Sequence, residues 1–246
     1  TCNVGGGMVE GTLYAFRVNK WKNKDGHIPW DLSVGSLKIG DNDSYYVTQS
    51  SGVTGNSITV ENGAPTIYID GLNVSAGVAL LIKKGNPTVR VVNKNTLKST
   101  GNGASGIQVG EDPKGGSVKI VGSGTLTAIG GPLGCGIGTI YSGAGGWHIN
   151  IEDCTVIAQA NEDEPAGIGS RGGAQCGDIT IKNAMITSTG TQFGAGIGTG
   201  KGGKCGNITI TLKQGDTKEK FLGRMKGYTG VGAGFGGNCG NVTWHE

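Results

Sequence analysis

Carboxylate side chains are the groups in this sequence best suited to chemistry on polysaccharides. Glycosidases use two of them, facing each other across a bound sugar about 5 to 10 Å apart. Acidic clusters include Glu152-Asp153 and Glu162-Asp163-Glu164. The second cluster lies in an apparent turn, where solvated side chains are expected, and no paired aspartates recur on successive segments. The acidic residues therefore do not predict a glycosidase site.

Basic residues that would complete a lyase or acid–base site are scattered. A pectate-lyase-like site would combine calcium-binding carboxylates with an arginine base, and no arginine adjoins an acidic cluster within its own segment. The three histidines are far apart in the sequence, and we expect His148 and His245 to face outward from strands. The sequence thus predicts no catalytic residue. The histidines and arginines are His27, His148, His245, Arg17, Arg90, Arg171 and Arg224.

Metal and cofactor sites are not indicated either. Zinc needs four convergent ligands, and no Cys-x-x-Cys pair occurs near a pair of histidines. Asp41-Asn42-Asp43 offers alternate oxygen ligands, but the complete calcium-binding loop pattern is absent. The glycine-rich turns lack the Lys-Ser/Thr that follows a nucleotide-binding loop. We therefore predict neither a metal nor a cofactor.

Aromatic residues are the better candidates for binding without catalysis. An aromatic ring beside hydrogen-bonding side chains can bury the apolar side of a pyranose ring. Such residues occur in the N-terminal region and beside a glycine-rich loop near residues 143–146. The alternative is that the rings fill the ends and corners of the fold. The candidate ligand-binding residues are Trp21, Trp30, Tyr45, Tyr46, Tyr141 and Trp147.

Five of the six cysteines follow the repeat pattern of the chain. Cys176, Cys205 and Cys239 occupy one repeat position, whereas Cys135 and Cys154 stand where other repeats have alanine. Cysteine therefore replaces small buried residues, and we expect free interior thiols. A disulfide between neighbouring repeats, with Cys176 close to Cys205, is the alternative, since stacked strands place equivalent Cα atoms about 5 Å apart.

Composition limits the function classes. Of 246 residues 51 are glycine, without the Gly-X-Y period of collagen, and only 16% are charged. The formal net charge of +3 comes from dispersed lysines, which argues against nucleic-acid binding. No run of about 18 apolar residues occurs, so we expect no membrane span in this chain. Because the sequence opens without methionine, we expect a chain whose targeting segment has been removed.

Internal repeats are the strongest signal in the sequence. A glycine–isoleucine motif recurs with spacings of 30, 31, 29 and 38 residues, at Gly106, Gly136, Gly167, Gly196 and Gly234. A second motif, such as Cys-Gly-Asn-Ile-Thr-Ile at 205–210, keeps step with it. Between the two motifs lies a third β-branched segment, as at 125–128, 155–158 and 185–188.

Three short strands per repeat predict a parallel β-helix. Each segment is bounded by Gly, Asn or Asp, as strands are, and stacking identical coils about 4.8 Å apart buries a continuous apolar interior. We therefore predict an all-β, single-stranded, right-handed parallel β-helix over residues 57–246, with about 30 residues per coil. Residues 1–56 are predicted to form an N-terminal β cap. A short helix is expected near 216–225, with Asp216 as N-cap and an apolar stripe of Phe221, Leu222 and Met225.

The repeats also resemble a known group. Gly-Ala-Gly-Ile-Gly at 194–198 followed by Cys-Gly-Asn-Ile-Thr-Ile at 205–210 is similar to the repeats of bacterial surface proteins described as carbohydrate-binding domain-containing. Stretches 56–63 and 94–97 look like earlier coils of that group, so the likeness covers roughly residues 56 to 244. It implies a secreted or cell-surface bacterial protein, as part of a larger envelope or adhesive chain. No binding residue is carried over from it.

These observations lead to three functional hypotheses. The first is a non-catalytic module that binds a polysaccharide or host glycan or displays an adhesive face. The second is a polysaccharide lyase or glycoside hydrolase of the β-helix type, which would release products from a polysaccharide panel until one acidic residue is changed. The third is a passive stalk or spacer, which would expose neither an aromatic nor an acidic groove.

Overall fold

Short parallel strands make up most of the chain in the computed structural model, which describes residues 21–110, 115–139 and 146–246. The strands form three long sheets in which every neighbouring pair is parallel. Consecutive strands in the chain pass from one sheet to another and return one layer further along. This arrangement confirms the predicted all-β parallel β-helix.

The strands, numbered in chain order, divide among the sheets as follows. The first sheet stacks β1 (Ile28–Asp31), β3 (Ser44–Thr48), β5 (Thr66–Asp70), β8 (Thr88–Val92), β11 (Gly116–Val121), β14 (Trp147–Glu152), β17 (Ile179–Lys182), β21 (Ile208–Thr211) and β25 (Val242–His245). The second stacks β2 (Leu37–Ile39), β4 (Ile58–Val60), β7 (Leu80–Ile82), β10 (Ile107–Val109), β13 (Ile137–Thr139), β16 (Ile168–Ser170), β19 (Ile197–Gly198) and β23 (Val231–Gly232). The third contains β6 (Asn73–Ala76), β9 (Lys94–Ser99), β12 (Thr125–Ile129), β15 (Thr155–Gln159), β18 (Met185–Thr189) and β22 (Met225–Lys226), and β20 (Lys204–Cys205) pairs only with β24 (Asn238–Cys239).

The core is a set of aliphatic columns that run along the stack. Because side chains alternate between the two faces of a strand, the same positions of successive strands point inward. In the first sheet Ile120, Ile151, Ile181 and Ile210 are consecutive register partners, and all four are fully buried. Each coil alone would expose these side chains, so stacking supplies the burial that stabilises the fold.

Coil length is not constant along the chain. Register partners Tyr45, Ile67 and Val89 are separated by 22 positions in each step, whereas Ile120 and Ile151 are separated by 31. The prediction of about 30 residues per coil is therefore correct only for the later coils. Two links account for most of the difference. The link from the third sheet to the second has three residues at 77–79 and seven at 130–136. The step from the second sheet back to the first takes 9 positions from Leu80 to Val89 and 14 from their register partners Ile137 to Ile151.

The coils also begin before the predicted boundary at residue 57. Strands β1, β2 and β3 belong to the same parallel sheets as the later strands, with β3 pairing directly to β5. Residues 28–48 are thus stacked strands and not a separate cap. Residues 1–20, which complete the predicted cap region, lie outside the described residues.

The predicted helical insertion is confirmed as α1, Lys218–Gly223. Its N-cap is Thr217, whose hydroxyl accepts the Lys220 N–H, and not Asp216 as predicted. The Asp216 carboxylate instead accepts two hydrogen bonds from the Arg224 guanidinium, which hold the pKa of that carboxyl below its usual value. Phe221 is buried and packs edge-on against Trp244 of the last strand. None of the helices among the described residues has the length and hydropathy of a transmembrane span.

Free interior thiols and a disulfide both occur among the described cysteines, and the disulfide does not involve Cys176. Cys135, Cys154 and Cys176 are buried free thiols, and burial raises the pKa of Cys135 and of Cys154 to about 12. Cys205 and Cys239 instead form a disulfide between adjacent coils, so the expectation of a free thiol was wrong for this pair. The disulfide joins register partners on β20 and β24, where parallel stacking leaves the two Cα atoms 4.7 Å apart.

Loss of this disulfide should destabilise the protein. The bond closes a segment of 34 residues, and its removal in a Cys205→Ala/Cys239→Ala variant should lower the free energy of unfolding by about 3–4 kcal/mol. Urea unfolding of the variant and of the untreated protein measures the difference. Reductant should shift the unfolding curve of the unmodified protein toward that of the variant, and should leave the curve of the variant unchanged. Coinciding curves without reductant would contradict the assignment.

Candidate functional site

A group of aromatic side chains lies on the outer face of the first sheet, near its N-terminal end. We call it the tyrosine patch and define it by His27, Tyr46, Tyr68 and Arg90. The Tyr46 and Tyr68 rings lie nearly parallel, with centroids 5.6 Å apart and an interplanar angle of 17°. The His27 ring lies 4.5 Å from Tyr68, and the Arg90 guanidinium carbon lies 5.7 Å from the centroid of that ring.

Strand register brings the patch together. Tyr46 on β3, Tyr68 on β5 and Arg90 on β8 are consecutive register partners, so their side chains form one outward column. Their neighbours Tyr45, Ile67 and Val89 form the inward column and are buried. Because stacked strands lie about 4.8 Å apart, aromatic side chains in adjacent coils meet without any loop being required.

Polar groups surround the rings. The Tyr46 hydroxyl donates to Asp70 Oδ2 at 2.8 Å, and this hydrogen bond to a carboxylate raises the pKa of Tyr46. Asn93 donates from Nδ2 to the other oxygen of Asp70 at 2.7 Å. His27 Nδ1 lies 2.8 Å from the Ser44 hydroxyl. The patch therefore places partly exposed aromatic surface beside fixed hydrogen-bonding groups, an arrangement suited to a polyhydroxylated ligand.

Only one of the predicted binding residues belongs to the patch, namely Tyr46. Trp21 is 71% exposed, with no ring contact recorded among the described residues. Trp30 packs partly against the core, and its indole N–H donates to the Gly35 carbonyl at 2.9 Å. Tyr141 lies outside the described residues. The predicted set is thus not one site.

Two of the predicted binding residues are interior side chains, which corrects their assignment to a ligand surface. Tyr45 is 3% exposed, and its hydroxyl donates to the Asp41 carboxylate. Trp147 is fully buried, with its ring beside Gly116 of the preceding coil. Their alternative role as interior fillers is the one that the structure shows.

Sequence reasoning missed three members of the patch, His27, Tyr68 and Arg90. A signal for two of them was present, since Ser-Tyr-Tyr-Val at 44–47, Thr-Ile-Tyr-Ile at 66–69 and Thr-Val-Arg-Val at 88–91 align as successive strands. The third residue of each segment faces outward, so aligning the early coils at 22 residues would have placed Tyr46, Tyr68 and Arg90 in one column. His27 precedes β1, and no repeat pattern marks it.

A second, polar cleft lies further along the first sheet and contains a serine, a histidine and an aspartate. It has a volume of about 540 Å³ and is lined by Ser117, His148 and Asp178, with Asn86, Asn150 and Thr180. His148 Nδ1 accepts the backbone N–H of Asp178 at 3.0 Å and lies 3.5 Å from Asp178 Oδ2. The Ser117 hydroxyl donates to Asn86 Oδ1 at 3.0 Å and not to the histidine ring. The three residues are not arranged as a nucleophilic triad.

The acidic clusters are engaged in pairs with neighbours. Glu152 forms an ion pair with Lys119 at 2.8 Å, and Glu164 forms one with Lys201 at 3.6 Å. Asp163 accepts a hydrogen bond from Gln192. Where the pKa of a carboxyl group departs clearly from its usual value, at Asp31, Asp216 and Glu219, hydrogen bonds lower it, and a general acid needs the opposite shift.

The side-chain oxygens of Asp41 and Asn42 accept hydrogen bonds from the protein itself. Asp41 accepts hydrogen bonds from the Asp43 N–H and the Tyr45 hydroxyl, and Asn42 Oδ1 accepts the Ala64 N–H at 2.7 Å. In the part of the chain that the structure describes, no group of three or more His, Cys, Asp or Glu residues is placed to hold a metal ion.

A third feature is a cluster of aromatic side chains near the last coils. The Phe193 and Phe235 rings lie 5.8 Å apart, and Tyr228 meets Phe235 edge-on at 5.7 Å. Tyr228 is 53% exposed and Phe235 48%. The Lys201 ammonium lies over the Phe193 ring but is also paired with Glu164, so this cluster carries no unpaired cation of its own.

Comparison with protein-family models, with curated proteins and with solved structures found no match. The likeness of the repeats to carbohydrate-binding surface proteins therefore stays a prediction from the sequence. Any statement about function has to rest on the surfaces described above.

Proposed function

We propose that this chain is a non-catalytic glycan-binding module of a secreted or cell-surface protein, and that the tyrosine patch is its binding surface. The observation that carries the proposal is the outward column of Tyr46 and Tyr68, flanked by His27, Arg90 and the carboxylate of Asp70. Aromatic rings cover the apolar face of a sugar, and the polar groups around them bond its hydroxyls.

Rigidity supports this choice of surface. The tyrosines project from β3 and β5, each of which is paired on both sides within the nine-stranded sheet, and the hydrogen bond to Asp70 holds the Tyr46 ring in place. A ligand would meet side chains already held in position, so binding would cost little conformational entropy. The disulfide supports a secreted location, because such bonds persist in oxidising compartments.

The exposed aromatic groups distinguish this proposal from a passive spacer. A spacer has no need for partly exposed tyrosines in register on one face, whereas a binding module does. The ion pairs of Glu152 and Glu164 weigh against hydrolysis or lysis at the acidic clusters, and the hydrogen bond from the Ser117 hydroxyl to Asn86 weighs against it in the polar cleft.

Truncation of Tyr68 tests the proposal. Affinity electrophoresis through gels that contain neutral and acidic polysaccharides would identify those that retard the protein. Tyr68→Ala should weaken binding to these polysaccharides about tenfold or more, because Tyr68 is the ring that contacts both His27 and Tyr46. Thermal unfolding of the variant, monitored by circular dichroism, should remain cooperative.

Tyr228→Ala is the matched control, since it removes an exposed tyrosine from the other aromatic cluster. It should leave binding unchanged. A loss confined to Tyr228→Ala would move the site to the last coils, and an unmodified protein that no polysaccharide retards would refute glycan binding altogether.

A further inference from the structure

The tyrosine patch contains one cation whose hydrogen-bonding capacity is unused. Arg90 is exposed, and its guanidinium has five N–H donors. Among the described residues no carboxylate forms an ion pair with it, and no hydrogen bond from it is found. Its recorded contact is the face of the Tyr68 ring, 5.7 Å from the guanidinium carbon.

Arg224 shows how this protein satisfies an arginine that serves the fold. It donates from Nε to the Ile186 carbonyl at 2.9 Å and from both terminal nitrogens to the Asp216 carboxylate. Arg90 has no such arrangement, although Asp70 lies on the neighbouring strand. The oxygens of Asp70 accept hydrogen bonds from Tyr46 and Asn93, and among the described residues no ion pair joins this carboxylate to Arg90.

We infer that the tyrosine patch selects acidic glycans, and that Arg90 pairs with the carboxylate of a uronic acid residue while the sugar ring packs on the exposed aromatic surface of the patch. This inference rests on the proposed function and adds the ligand class. A guanidinium is planar and binds a carboxylate with two parallel hydrogen bonds. The cation–π contact with Tyr68 keeps the guanidinium at the patch, beside the place that a sugar ring would occupy.

A comparison of matched polysaccharides tests the selectivity. Polygalacturonate, alginate and hyaluronan would each be compared with the same polymer after its carboxyl groups have been reduced to alcohols. Reduction keeps the sugar backbone and removes the charge. The unmodified protein should bind at least one uronate polymer about tenfold more tightly than its reduced form.

Substitution of Arg90 assigns the selectivity to this side chain. Arg90→Gln should weaken binding to the uronate polymer about tenfold and change binding to the reduced polymer less than about twofold. Arg90→Lys keeps the charge but not the planar pair of donors. Its affinity for the uronate polymer should lie between those of the unmodified protein and of Arg90→Gln. Lys182→Gln is the matched control, because Lys182 is exposed in the same outward column three coils further on.

The outcomes separate this inference from the proposed function. Equal binding to the uronate and reduced polymers, with both lost in Tyr68→Ala, would overturn the selectivity and keep glycan binding. Equal losses in Arg90→Gln and Lys182→Gln would show that net charge is responsible, which also overturns it. Binding to none of the polymers would overturn both.

Discussion

Replacing Trp147 with alanine should lower the free energy of unfolding by about 3–5 kcal/mol. The indole is fully buried and is among the largest side chains of the core. Its register partner in the preceding coil is Gly116, where a Cβ atom would lie 2.8 Å from the ring. The tryptophan therefore occupies volume that the neighbouring coil leaves open, and alanine would leave a cavity in its place.

Urea unfolding followed by circular dichroism measures this effect. Trp21→Ala is the matched control, because Trp21 is 71% exposed, and its replacement should change stability by no more than about 0.5 kcal/mol. The pair also decides between the two roles considered for Trp147. If Trp147→Ala lost glycan binding while keeping full stability, Trp147 would be a ligand-contacting residue and its interior placement would be wrong.

Replacing Gly169 with alanine should lower the free energy of unfolding by about 3 kcal/mol or more. Gly169 lies in the middle of β16 with a φ of +136°, a conformation that residues with a side chain rarely adopt. An added Cβ would overlap the carbonyl oxygen of Gly198 in the next coil. Backbone strain and steric overlap therefore act together, and relief would require two stacked strands to separate.

Gly173→Ala separates these two causes. Gly173 also has a positive φ, of +67°, but nothing lies within 4 Å of the position that its Cβ would take. Its replacement should cost about 1–2 kcal/mol from backbone strain alone. Equal losses in the two variants, measured by urea unfolding, would mean that close stacking of the second sheet contributes nothing.

Three glycines of the repeat lie within a sheet, because Gly138, Gly169 and Gly198 are register partners in the second sheet. An added Cβ at each would meet the backbone of the next coil, so the close approach of neighbouring coils explains all three. Glycine that recurs at a fixed spacing indicates a position with no room for a side chain. The spacing does not show whether that position lies in a strand or at a turn of the coil.

The sequence by itself determined the architecture. Short β-branched segments with alternating apolar residues repeat along the chain. They predict a stack of parallel coils, because stacking buries the apolar face of each segment. It also located the third strand of each unit, at β12, β15 and β18, and the short helix near 216–225. These features depend on the order of apolar and polar residues within short segments, and that order is visible in the amino-acid sequence.

Tertiary structure decided which candidate side chains are available to a ligand. Tyr45 and Tyr46 are adjacent in sequence, yet strand pleating sends Tyr45 inward and Tyr46 outward. Register then places Tyr68 beside Tyr46, and Arg90 beside Tyr68, in one column. The two coils that separate Tyr46 from Arg90 are shorter than the repeat that dominates the sequence. The same stacking joined Cys205 to Cys239 and left Cys176 free. A binding surface made of one residue from each of several coils depends on register, and register is a relation between strands that no single strand specifies.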